Sequence, residues 1–186
     1  MGRDKALLPF RGATLAHTVA RAVEAAAGNV FLVGNPHRHG FIGHGLTGNG
    51  STGNGIVPDI YPGEGPLGGI LTALRHSQAD WNLIVACDMP ALSADFLGQL
   101  LDAAECTAEH TGDADALVPT GPAGRPEPLC AVYHRRARQG LYAAFARGVR
   151  RVGAALEEVR SVPWPVPQVH YFQNVNTPED WALYGR

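Results

Sequence analysis

One residue type is nearly missing from this chain. Of its 15 basic side chains 14 are arginine, and Lys5 is the only lysine. Arginine presents a planar fork of donors, whereas lysine is a compact point charge on a flexible stem. Position 5 is therefore a place that calls for an ammonium, unless a single lysine simply fell there by chance. Cysteine is scarce as well. Cys87, Cys106 and Cys130 form no CxxC pair, which argues against a disulfide framework and a thiolate zinc site and for reduced thiols in the cytoplasm. No apolar run approaches the ~20 residues of a membrane span, and Met1-Gly2-Arg3-Asp4-Lys5 is too polar to open a secretory leader. The sequence thus predicts no membrane partner. A formal net charge of −2 lacks the basic footprint of nucleic-acid binding, so no nucleic-acid partner is expected either.

Familiar site signatures are absent too. There is no GxxxxGK[ST]. No Ser-His-Asp or Cys-His arrangement is evident, although a triad scattered through the chain stays open. What remains is an ordinary globular composition, 45% apolar and 17% charged, over 186 residues. That length fits one domain, residues 1–186, with its own core.

The most informative stretch is LIVACDMPAL, residues 83–92. Leu83-Ile84-Val85-Ala86-Cys87 has the pattern of a strand buried on both faces of a parallel sheet. Asp88 follows directly, and Pro90 stops further pairing. A carboxylate at the carboxyl end of a central parallel strand sits where open α/β sheets bind ligands. A hard oxygen there suits Mg²⁺ shared with the phosphates of a nucleotide. The alternative is that Asp88 merely caps the next helix.

The remaining chain alternates helices and strands. Thr14 caps a helix using Leu15, Val19, Ala22 and Val23 and ending at Gly28; residues 30–33 and 56–59 read as strands. Between them lies a glycine-rich loop with TGNG at 47–50 and again at 52–55, whose nearby His37, His39 and His44 are read as exposed rather than metal-bound. Residues 62–69 turn into a helix through Ile70, Leu71 and Leu74; its glycines fit equally a tight turn and a ligand approaching bare N–H groups. Ser93 caps a helix through Phe96, Leu97, Leu100 and Leu101. Strands follow at 116–119 and 129–133, around a turn holding Arg125 and Glu127. Helices are expected at 137–147 and 152–158 and a last strand at 169–172. Thr177, Pro178 and Asp180 form a helix-start pattern that leaves Asn174 and Asn176 free to bind. Polar turns thus gather Asn35, Asp59, Asp88, Arg125 with Glu127, and Asn174 with Asn176 at the carboxyl ends of strands. With the lone lysine and glycine-flanked helix starts, they fit a nucleoside triphosphate better than an apolar ligand.

On these residues the chain resembles the molybdenum cofactor guanylyltransferases, the MobA-like proteins. The matching stretches are MGRDKALLPF at 1–10, TL at 14–15, VGNP at 33–36, PD at 58–59, GPLGGI at 65–70, ACDMP at 86–90, RPEPLCAVY at 125–133 and NVNTPEDW at 174–181, in the family's order. The resemblance implies transfer of GMP from GTP to the terminal phosphate of molybdopterin, with release of pyrophosphate. It also implies a three-layer α/β/α fold with a mainly parallel, Rossmann-like sheet of the nucleotidyltransferase type. Carried over by position, Lys5 meets the GTP phosphates and helps pyrophosphate leave, Asn35 and Asp59 contact the guanosine portion, and Asp88 holds Mg²⁺. Arg125, Glu127, Asn174, Asn176 and Thr177 face the pterin. Contacts with other molybdenum cofactor biosynthesis proteins or with recipient molybdoenzymes are also implied. Cytidylyltransferases acting on the same pterin with CTP are relatives, and Met89 beside the metal site looks like the guanylyl branch.

The resemblance breaks at the start. The family has a strand and a glycine-rich phosphate loop ahead of the Met-Gly-x-Asp-Lys segment, and here Met1 occupies that methionine. The expectation is an N-terminally incomplete domain whose start is internal to a longer natural protein. A mid-sheet strand of five buried apolar residues, each worth roughly 2 kcal/mol, would contribute about 10 kcal/mol. The chain as it stands is then expected to bind GTP weakly and turn over poorly. A non-catalytic relative that binds pterin or a partner, and a sugar-phosphate nucleotidylyltransferase, are the competing readings.

Overall fold

The computed structural model describes residues 5–10, 12–35 and 55–175. Local chemistry sets the helices. Helix α1 (Leu15–Ala27) starts where Thr14, in extended conformation, accepts from the His17 N–H at 3.2 Å. It stops at Gly28, whose φ of 78° lets its N–H return to the Glu24 carbonyl. Helix α2 (Pro66–His76) follows Gly65 at φ 78° and has Pro66 in its first turn. Helix α3 (Ala94–Thr111) is capped by Ser93, which accepts from the Phe96 N–H at 3.2 Å. Helices α4 (Ala137–Ala146) and α5 (Val152–Ala155) complete the set, α5 running on into a 3₁₀ turn at Leu156–Glu158.

The strands form three groups. A two-residue hairpin joins β1 (Pro9–Phe10) to β2 (Ala13–Thr14). Strands β3 (Leu32–Gly34) and β4 (Ile56–Pro58) pair in parallel, with Gly34 opposite Pro58. Four strands make the third group in the order β5-β7-β6-β8: β5 (Trp81–Val85), β6 (Ala116–Thr120), β7 (Cys130–His134) and β8 (Ser161–Pro165). Strand β7 runs antiparallel to both neighbours, and β6 and β8 are parallel.

Side-chain alternation along these strands builds the layers. Leu117, Cys130 and Val132 point into a core with Val19 and Val23 of α1 and Phe96, Leu97 and Leu100 of α3. Their neighbours Ala116, Val118, Ala131 and Tyr133 point the other way, onto Leu67, Ile70 and Leu71 of α2 and Leu141 and Ala144 of α4. Period-two alternation thus gives each face of the sheet its own helical cover. The fold is the expected α/β/α arrangement on a mixed sheet.

Two expectations are corrected. The 83–87 run is not a strand buried on both faces of a parallel sheet. β5 pairs antiparallel with β7 and, among the described residues, has no ladder partner on its other edge, so all five of its residues are only partly buried. Residues 169–172 form a 3₁₀ turn, not a strand, and the last strand is β8. Pro163 and Pro165 hid it. Both sit on the parity whose N–H would point away from β6, since the Val166 N–H bonds the Thr120 carbonyl at 2.8 Å, and an edge strand tolerates that loss.

The open edge of β5 faces β3 across a cavity of about 700 Å³. Val19, Ala20 and Val23 of α1 cover one side, and Gly69, Ile70 and Ala73 of α2 the other. Leu32, Val33, Leu83 and Val85 also line it. Among the described residues no ladder hydrogen bond joins the two groups of strands.

Candidate active site

Strands β5 and β6 both run antiparallel to β7, so their carboxyl ends share one edge of the sheet. Asp88 stands at that edge, three residues beyond β5. Its Oδ1 is fully buried and has no hydrogen-bond partner among the described residues. A buried carboxylate oxygen left this way costs more than a neutral orphan, and such atoms in native folds ask for an explanation. Helix capping is not the explanation, because Ser93 fills that role for α3. A hard divalent cation fits the donor: one carboxylate oxygen held at a strand end, with its charge unspent. Among the described residues no group of three or more histidine, cysteine or acidic side chains clusters to hold a metal, so remaining ligands would come from phosphate oxygens and water.

The carboxyl ends of β3 and β4 bring a second pair together. The Asp59 N–H bonds the Gly34 carbonyl at 3.3 Å, which sets Asp59 beside Asn35. Asp59 is anchored rather than loose: its Oδ1 accepts from the Tyr61 N–H at 2.9 Å and from the Thr72 hydroxyl at 2.9 Å. Thr72 was not among the residues singled out in the sequence. The available signal was a lone hydroxyl on the otherwise apolar buried face Ile70, Leu71 and Leu74 of α2. Asp88, Val33 and the helix-start residues Pro66 and Gly69 line the same cavity.

The helix-start glycines divide between the two readings. Gly65 needs its left-handed backbone, and a Cβ on Gly68 would come within 2.9 Å of the Tyr61 Cβ, so both serve the turn. Gly69 has nothing within 4 Å of a built Cβ and faces the cavity.

Two further segments reach the Asp88 edge. The turn from β6 to β7 returns through Leu129, whose carbonyl accepts from the Ala86 N–H at 2.7 Å. In that turn Arg125 lies 4.0 Å from Glu127, with Arg125 largely exposed. Burial pushes the Glu127 carboxyl above its ordinary value, and Arg125 partly offsets the rise. The second segment is the chain after the 169–172 turn: the Val175 N–H bonds the Asp88 carbonyl at 2.9 Å, which brings the exposed Asn174 to the same place. Val175 in turn packs with Phe10 and Leu15, and the Leu15 N–H bonds the Leu8 carbonyl at 2.9 Å. The short segment that opens with the Lys5–Leu7 3₁₀ turn is therefore tied, through Val175, to the Asp88 edge. Asn176, Thr177, Pro178 and Asp180, and the glycine-rich loop with its histidines, lie outside the described residues.

None of Cys87, Cys106 and Cys130 forms a disulfide, and burial pushes the Cys130 thiol up to about 12, so it is inert. Among the described residues no helix is long and apolar enough to cross a membrane.

The comparisons with known proteins agree with this geometry. The MobA-like NTP transferase domain model matches residues 1–159. A probable molybdenum cofactor guanylyltransferase of Deinococcus radiodurans is 33% identical over 186 residues, covering 100% of this chain and 88% of that protein. One from Methanothermobacter thermautotrophicus is 40% identical over 132 residues, 69% of this chain and 65% of the relative, so the match spans just under two thirds of that protein's length. Among solved structures, molybdopterin-guanine dinucleotide biosynthesis protein A of Archaeoglobus fulgidus superposes with a TM-score of 0.77 at 25% identity, covering 99% of this chain and 90% of that one. The 2-C-methyl-D-erythritol 4-phosphate cytidylyltransferase of Thermus thermophilus shares the fold, with a TM-score of 0.67 at 18% identity and coverage of 97% and 92%. With the family model matched over most of its length and a relative 33% identical along the whole of it, the chain belongs to the MobA-like NTP transferase family and is an enzyme of the nucleotidyltransferase class.

Proposed function

We propose that this enzyme transfers GMP from GTP to the terminal phosphate of molybdopterin and releases pyrophosphate. The observation that carries the proposal is the buried Oδ1 of Asp88, without a partner among the described residues, at the strand end to which the 121–129 turn also returns. A guanosine lying over the Asn35–Asp59 pair would point its triphosphate along the cavity rim toward Asp88. Asp88 would hold Mg²⁺, which when bound neutralises phosphate charge. Lys5 adds a cation for the departing pyrophosphate. Arg125, Glu127 and Asn174 would hold the pterin, with Asn176 and Thr177 completing that side.

An oxygen of the acceptor phosphate attacks the α-phosphorus in line, and the bond from the α-phosphorus to the α–β bridging oxygen breaks. The leaving pair of electrons goes out with pyrophosphate, and the new linkage is a phosphoanhydride. No side chain needs to become bonded to substrate, so the protein acts by positioning and electrostatics.

The test is pyrophosphate release from GTP and molybdopterin in the presence of Mg²⁺, with CTP and a sugar phosphate run in parallel. Release that needs GTP and molybdopterin and disappears in Asp88→Ala supports the reading. Equal release with CTP, or with the sugar phosphate as acceptor, overturns the substrate assignment. No release with any pair, while GTP and pterin still bind, leaves a binding protein.

A further inference from the structure

We propose that Thr72 is a positioning residue that sets the Asp59 carboxylate for the nucleoside. The inference rests on the assignment of Asp59 to the guanosine portion made above. Thr72 is the one buried polar side chain among the described residues, 2% exposed on α2. Its hydroxyl has one proton and two lone pairs. The Ile60 N–H donates to it at 3.3 Å, while Asp59 Oδ1 and the Gly68 carbonyl both lie 2.9 Å away as acceptors. One proton cannot serve both. Gly68 sits four residues back on the same helix, where its carbonyl is within the helical bonding pattern, whereas a carboxylate makes the stronger, charge-assisted bond. The proton therefore belongs to Asp59.

The consequence is rotational. Oδ1 is filled by the Tyr61 N–H on one side and Thr72 on the other, which fixes the carboxylate plane. Oδ2 is the oxygen left over for a ligand, and the Asp59 N–H to the Gly34 carbonyl holds the residue's backbone against the end of β3, where Asn35 follows. Helix α2 thus orients the nucleoside end of the site from below, through a group that touches no substrate itself. With the hydroxyl gone, Oδ1 keeps only the Tyr61 N–H, the Ile60 N–H loses its acceptor, and the carboxylate is free to turn.

The test uses the full chain and three variants, Thr72→Val, Thr72→Ser and Asp59→Asn, titrated with Mg²⁺ plus GTP and with Mg²⁺ plus inorganic tripolyphosphate. Thr72→Val should weaken GTP binding about tenfold, leave tripolyphosphate binding unchanged, and raise the KM for GTP with little change in kcat. Thr72→Ser, which restores the hydroxyl, should return GTP binding to the original value. The proposal falls if Thr72→Val binds GTP normally, loses GTP and tripolyphosphate alike, or is not rescued by serine. Should Thr72→Val fail to fold, the serine variant with exchange protection of the Tyr61 amide decides: an unprotected amide with unchanged GTP affinity overturns the proposal, and protection with unchanged affinity supports it. If Asp59→Asn itself leaves GTP binding untouched, the assignment of Asp59 to the nucleoside fails and the Thr72 proposal with it. A weakened Asp59→Asn beside a normal Thr72→Val refutes the Thr72 step alone.

Discussion

Asp88→Asn is expected to make the protein more stable in chelator and less stable with substrate. The substitution keeps shape and removes charge from a side chain whose Oδ1 is buried with no partner among the described residues. Leaving such a group unsatisfied costs about 1–3 kcal/mol, more when it is charged, and an amide escapes the charged part. A gain of about 1–2 kcal/mol in a domain of this size raises Tm by roughly 2–8 °C. With Mg²⁺ and GTP at a hundred times Kd, the original protein gains about 2.7 kcal/mol from ligand binding and the variant gains little. The order of the two melting temperatures should therefore invert between EDTA and Mg²⁺–GTP, read by circular dichroism at one protein concentration. If Asp88→Asn melts below the original protein in EDTA, the oxygen has a stabilising partner in the fold and the argument for a cation there fails.

Four further outcomes follow from packing and charge. A Cβ at Gly140 would fall within 2.7 Å of Val159 Cγ1 and against the Glu158 carbonyl, so Gly140→Ala should cost about 1–3 kcal/mol in urea unfolding. Gly98→Ala, on a helix with nothing within 4 Å, should instead add about 0.5–1 kcal/mol. Phe96 stacks on Tyr171 at 4.1 Å and touches the Phe172 and Trp164 rings, so Phe96→Ala should cost about 3–5 kcal/mol by the same assay. Burial, and then Arg136, hold the His134 imidazole below its ordinary value of 6.5, against the opposite pull of Asp80 and Asp115. Its Nδ1 also accepts from the Arg136 N–H at 3.2 Å, a bond that protonation at that nitrogen would end. Because the unfolded chain takes up the proton first, this stability is fully present above pH 6.5 and is lost as pH falls through the lowered folded value. His134→Gln should flatten that acid limb in a series of melts from pH 7.5 to 4.5.

Where a residue's own chemistry fixed its surroundings, the sequence was readable. Thr14, Ser93 and Gly28 cap as expected because each satisfies backbone groups within three or four residues of itself. The approach of Asp59 to Asn35, and of the 121–129 turn to the end of the Asp88 strand, was readable because chain direction, not detailed packing, carries it. What was missed depended on distant partners. β8 is a strand because β6 offers it an edge, a partner 45 positions away at Ala116–Ser161 that the segment itself does not reveal. Residues 169–172 carry strand-forming side chains, yet those rings pack against Phe96 and the backbone closes a 3₁₀ turn. The antiparallel β5–β7 pairing cannot be read from either segment, since both are short apolar runs. Thr72 was passed over because its value lies in Asp59, 13 positions away.

The two halves of the site sit on different pieces of sheet, and this decides which kinetic constant is exposed. Asn35 and Asp59 belong to β3–β4, while Asp88, the 121–129 turn and the Val175 tie belong to the four-stranded group. Among the described residues no ladder bond crosses between β3 and β5. Their spacing is set by α1 and α2, which cover both sides of a cavity of about 700 Å³. Close-packed interiors resist displacement because every atom has neighbours, and a void of that size removes them along the seam. On the proposed assignment guanosine would meet one half only, and pyrophosphate with Mg²⁺ the other, so each should bind as well as its own contacts permit. GTP must span both. In-line attack tolerates little error, and a displacement of 1 Å can cost about a hundredfold in rate. Slow turnover and weak GTP binding are therefore expected beside undiminished affinity for the fragments. Calorimetry with guanosine, Mg²⁺–pyrophosphate and Mg²⁺–GTP measures this directly. GTP binding more tightly than the product of the two fragment affinities would mean that the helices alone hold the halves in register, and the seam would then be of no consequence for catalysis.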